Sequence, residues 1–127
     1  MVVPCEEAKN GQIGLMVDSG ADTSLVKLSS LTTDTILDGT EKMYLSGAFG
    51  GEATTEGAAP IQHSDEAGLK FHHHAVPTDM GLPGDGLLGR DILWDRTITD
   101  AIDKKLIFKE NGQHIASLPL VPANGAN

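Results

Sequence analysis

Asp18 closes an apolar run, Leu15-Met16-Val17, and is followed at once by Ser19-Gly20-Ala21-Asp22-Thr23. A carboxylate in that position is held by a rigid strand, while Gly20 lets the backbone pass close behind it and direct amide groups toward its oxygens. Such a group suits proton transfer to and from a reacting atom. The same residues also suit an Asx turn that merely closes a strand, since Asp-Ser-Gly is common in surface turns. Ser19 as a nucleophile is a poorer reading, because no adjacent base is indicated and an acid precedes it.

A second element, Asp85-Gly86-Leu87-Leu88-Gly89-Arg90-Asp91-Ile92-Leu93, taken alone reads as a buried strand turning into a short helix. Between the two lies Ser46-Gly47-Ala48-Phe49-Gly50-Gly51, a glycine-rich tip joining extended arms over residues 42–45 and 52–61. In this order the three elements resemble the retropepsin family, the aspartic proteases of retroviruses and long-terminal-repeat retrotransposons, over residues 2–94.

The resemblance implies an all-β, retropepsin-like acid protease barrel with one short helix after Gly-Leu-Leu-Gly-Arg-Asp, assembled as a homodimer. It implies that Asp18 is catalytic, that Ser19 hydrogen-bonds across the subunit boundary, and that Gly20 and Ala21 shape the floor of the cleft. Asp22 corresponds to the acid that holds the substrate backbone, and Arg90 to the buried base that pairs with it. Gly47, Ala48, Phe49 and Gly50 correspond to the flap tip over the substrate, with Gly47, Gly50 and Gly51 allowing it to bend. The activity implied is endopeptidase cleavage of extended segments, in processing of a retroelement polyprotein, with no cofactor.

Peptide hydrolysis by carboxylates needs one ionised group to take a proton from water and one protonated group to polarise the scissile carbonyl. Two carboxyls about 3 Å apart cannot both ionise and so share a proton, as aspartic proteases do. Asp-Ser-Gly occurs once in these 127 residues, so the second carboxyl is expected from a second copy across a two-fold axis. The rival reading is a catalytically silent, protease-like dimer kept as a binding or assembly module. The intact Asp18, Ser19 and Gly20 speak against it.

Other chemistry is thinner. On a strand His72 and His74 point one way and His73 the other, so the three cannot converge on one ion; solvent-facing or half-buried imidazoles are expected, and no metal site. Cys5 stands alone, which precludes an intrachain disulfide and suggests a structural residue in a reducing compartment.

The elements that must position Asp18 follow from periodicity and turn residues. Residues 2–8 and 13–17 read as two strands about Asn10-Gly11, leading into Asp18. A short strand is expected at 25–28, a surface loop at 32–40, a strand at 69–78 and a loop at 79–86. Residues 105–110 and 113–120 flank Asn111-Gly112, the clearest hairpin signal in the chain. A single domain is expected over 1–127, with its core in 2–94, C-terminal strands and a dimer-interface hairpin in 95–121, and a fraying tail at 122–127.

Composition agrees. Aromatic residues are only 4% of the chain against 15 glycines, which favours β-structure built on aliphatic side chains. A net charge of −9 with a pI near 4.7 argues against nucleic acid and anionic membranes as partners. With no span-length apolar run and no signal-peptide pattern, a soluble protein of the cytoplasm or of retroelement particles is expected.

Overall fold

The computed structural model describes residues 1–42, 44–46, 52–64, 69–76, 82, 84–94 and 96–120. The expected flap-tip residues Gly47, Ala48, Phe49 and Gly50, and the tail 122–127, lie outside them. No helix among the described residues is long and apolar enough to cross a membrane.

The chain begins with β1 (Val2–Pro4) and β2 (Gln12–Val17), paired antiparallel with Val3 opposite Ile13. Alternation in β2 sends Ile13 and Leu15 into the core, at 0% and 2% exposure, and leaves Met16 outside. The connection, residues 5–11, is longer than the expected 9–12. β1 stops at Pro4, which has no N–H to donate, and the loop closes through Cys5 N–H to Gly11 O at 3.0 Å and Gly11 N–H to Ala8 O at 3.0 Å.

Four further strands complete this sheet: β3 (Leu25–Lys27), β6 (Gly57–Ser64), β7 (Leu69–Val76) and β8 (Gly86–Leu88). The spatial order is β1-β2-β8-β3-β7-β6. β8 lies between β2, to which it is parallel, and β3, to which it is antiparallel. All three of its residues are buried, which explains why it reads as an apolar run without alternation. Leu88 enters the main core with Val3, Ile13, Leu15 and Phe108, whereas Leu87 joins a smaller cluster with Leu25, Val76 and Leu82.

A two-stranded ribbon of β4 (Tyr44–Ser46) and β5 (Glu52–Thr54) forms the base of the glycine-rich hairpin. The second arm expected over residues 52–61 is therefore two strands, β5 here and β6 in the large sheet. β7 is interior, paired with β3 on one side and β6 on the other, so alternate residues face the core. That corrects the expectation for the histidines: His73 is fully buried, while His72 is exposed and His74 half-buried.

After β8 comes α1 (Arg90–Leu93), the one α-helix among the described residues, then β9 (Thr97–Asp100), β10 (Lys105–Glu110) and β11 (Gln113–Pro119), ordered β11-β10-β9. Asn111 and Gly112 turn the expected hairpin with φ of 52° and 80°, the left-handed pair that matches strand twist. Its inward residues Leu106 and Phe108 are 0% and 1% exposed, and the Phe108 ring stacks on Phe71 with centroids 5.9 Å apart. The hairpin thus closes the chain's own core. β9 has no counterpart in the sequence reading.

Candidate active site

β2 delivers Asp18. Its pairing with β8 runs through Val17 opposite Leu88, and the Asp18 N–H then donates to Leu88 O at 2.9 Å. The chain turns immediately: Ala21 N–H donates to Asp18 O at 3.2 Å, and Gly20 N–H to the carboxylate Oδ1 at 2.9 Å. The half-exposed carboxylate is thereby oriented by an amide of its own loop. Ser19 and Gly20 are exposed, and Ala21 packs partly against the Leu87 cluster.

Residues 88–91 hold this loop along its length. Beyond the Leu88 contact, Arg90 N–H donates to Ala21 O at 2.8 Å. Ser24, at 0% exposure, donates its N–H to Asp91 Oδ2 at 3.0 Å and its Oγ–H to Asp91 Oδ1 at 2.6 Å. The same Oγ accepts the Gly89 N–H at 2.8 Å. Glycine is required at 89 by this closeness, since a Cβ there would lie 2.8 Å from Thr23 C and 2.9 Å from Ala21 O.

A second carboxylate, just before β8, ties it to β2 and to Ser30. Asp85 accepts Gly14 N–H and Ser30 Oγ–H, each at 2.7 Å, and its own N–H donates to Gly14 O at 2.9 Å. Ser24, Asp85 and Asp91 have no role assigned by the sequence reading. The two aspartates stand within the 85–93 stretch, but spacing alone does not say which loop a carboxylate faces.

Arg90 and Asp22 form an ion pair through Nη2 and Oδ1. Arg90 is not buried within the chain, in contrast to the expectation: its side chain is 44% exposed and that of Asp22 81%. The reason is its place as the first residue of α1, on the rim of a groove of about 520 Å³. Val17, Ser19, Leu93, Trp94 and Thr97 also line this groove, so it opens beside the Asp18 turn. Trp94 is 65% exposed and Ile98, on β9, 48%.

The arrangement provides one oriented carboxylate in an Asp-Ser-Gly turn, a clamp that fixes the turn, and an open groove at its side. One such carboxylate can act as acid or as base at a given moment, and not as both.

No family model matches the chain, and no curated protein matches it. Among solved structures it is similar to EIAV protease complexed with the inhibitor HBY-793, with a TM-score of 0.50 and 21% identity over 75% of this chain and 84% of that one. That neighbour is a retroviral protease. The fold of this chain is accordingly retropepsin-like: mostly β, with a curled half-barrel sheet and one short helix.

Proposed function

We propose that the chain is one half of a homodimeric aspartic endopeptidase, with Asp18 and its counterpart in a second copy activating water between them. The observation that carries this reading is the placement of Asp18: strand-borne, half-exposed, its Oδ1 held by the Gly20 amide, in a loop tied down by the second motif. A retropepsin-like fold supports it further. In the dimer the two carboxyls share one proton; the ionised one takes a proton from water while the protonated one polarises the scissile carbonyl.

The second copy would seat where Ser19, Trp94 and Thr99 line the open groove beside Asp18. The outer face of the 105–120 hairpin would extend that contact. Substrate would lie extended, adding a strand against the β4–β5 hairpin, so that specificity spans several residues. Processing of a retroelement polyprotein is the role we assign to it.

The test is incubation with a mixed peptide library at several acidic pH values, comparing wild type with Asp18→Asn and mapping products by mass spectrometry. Cleavage by the wild type alone, unaffected by chelators, is expected. Equal cleavage by both proteins, or loss of cleavage on chelation while the dimer persists, overturns the reading.

A further inference from the structure

We propose that Asp91 is a positioning residue for Asp18, acting through Ser24 on the loop that carries the carboxylate. This rests on the peptidase reading above.

The loop from Asp18 to Ser24 is anchored at both ends. At its start the Asp18 N–H is held by Leu88 O; at its end Ser24 O accepts His74 N–H at 3.0 Å, tying the loop to β7. Asp91 supplies the tie to α1. Its two carboxylate oxygens divide between two donors of one residue, the Ser24 N–H and Oγ–H, and the fully buried Oγ is left to accept the Gly89 N–H. Charge-assisted bonds of this kind are the stronger ones, and a bidentate grip fixes direction as well as distance. Without Asp91, hydrogen bonding from α1 to the loop reduces to Arg90 N–H on Ala21 O, beside the exposed Arg90–Asp22 pair. Because two carboxyls must meet within about 3 Å to share a proton, a small drift of this loop acts directly on the chemistry.

The experiment uses the full chain with Asp91→Ala, Asp91→Asn and Asp18→Asn, assayed on a peptide that the wild type cleaves, per titrated active site. Asp91→Ala should lower kcat about tenfold or more with KM changed less than about threefold, since misplacement of a reacting group is felt in turnover. Two carboxyls sharing one proton give a bell-shaped pH profile, which should narrow in Asp91→Ala because separated carboxyls couple less. Asp91→Asn should retain most of kcat, its amide still able to bridge Ser24 N–H and Oγ. Backbone amide exchange over residues 18–24 should accelerate in Asp91→Ala and not in Asp91→Asn.

Unchanged kcat and exchange in Asp91→Ala, or a loss fully explained by a smaller dimer fraction, overturns the proposal. So does Asp91→Asn behaving like Asp91→Ala. If Asp18→Asn cleaves as the wild type does, the peptidase reading itself has failed, and amide exchange still decides whether Asp91 holds the loop.

Discussion

The N–H of Asp18 and the carbonyl of Leu88 lie 2.9 Å apart, with Asp18 one step beyond Val17, the β2 residue that pairs with Leu88. Two stretches about seventy positions apart in sequence thereby become one unit. From there residues 88–91 run beside 18–24, and the candidate catalytic loop has little freedom of its own.

Gly89→Ala probes that closeness. The added Cβ meets backbone atoms of Thr23 and Ala21 at 2.8 and 2.9 Å, neither of which can swing aside as a side chain can. A loss of about 1–3 kcal/mol in unfolding free energy is expected from denaturant titration, as for overpacking elsewhere. Turnover should fall further than stability predicts, because the displaced residues flank Asp18.

Asp85→Ala removes the carboxylate that accepts the Gly14 N–H and the Ser30 hydroxyl. Two donors lose a charged acceptor, for an expected loss of about 2–3 kcal/mol. Asp85→Asn should recover part of it, as measured by thermal unfolding.

Cys5 is 8% exposed, and burial pushes its thiol up from the ordinary value. Little thiolate is then present near neutrality. Alkylation should be slow in the native protein and rapid in denaturant; fast native labelling would show that the first loop opens.

Stability should decline on the acid side. Thr40 lowers the pKa of Asp38, first through its hydroxyl at 2.6 Å and then through its N–H at 3.0 Å. The Asp103 N–H, then that of Ile102, does the same for Asp100. A carboxyl whose folded pKa lies below the ordinary 3.8 contributes stability above that value and loses it as pH falls through the folded one. Asp100→Ala should therefore lower the melting temperature more at about pH 6 than at about pH 3.

The sequence was legible where local chemistry decides structure. Asn111-Gly112 can take two left-handed residues and does so, and the unbroken apolar Leu87-Leu88 signals a strand covered on both faces. It was less legible where the partner is distant. Asn10-Gly11 carries the same turn signal as Asn111-Gly112, but Pro4 ends β1 early and the loop lengthens. β9, Thr-Ile-Thr-Asp, has the β-branched residues of a strand but few of them, and is held by pairing with β10. His73 is buried because β7 is interior, and Asp91 faces Ser24 because Leu88 meets Asp18. At the candidate site, the Asp18 turn is legible in its own residues and the Arg90–Asp22 pair in the retropepsin resemblance, whereas the exposure of Arg90 follows from its place on the rim of the groove.

The central claim is that one active site draws an Asp18 from each of two chains. It is tested most directly by co-refolding wild type with increasing fractions of Asp18→Asn at constant total protein and measuring peptide cleavage. The account predicts activity proportional to the square of the wild-type fraction, roughly a quarter at an equal mixture, because every mixed dimer lacks one carboxyl. A linear decline, leaving about half, would mean that a single chain's Asp18 suffices and would contradict it.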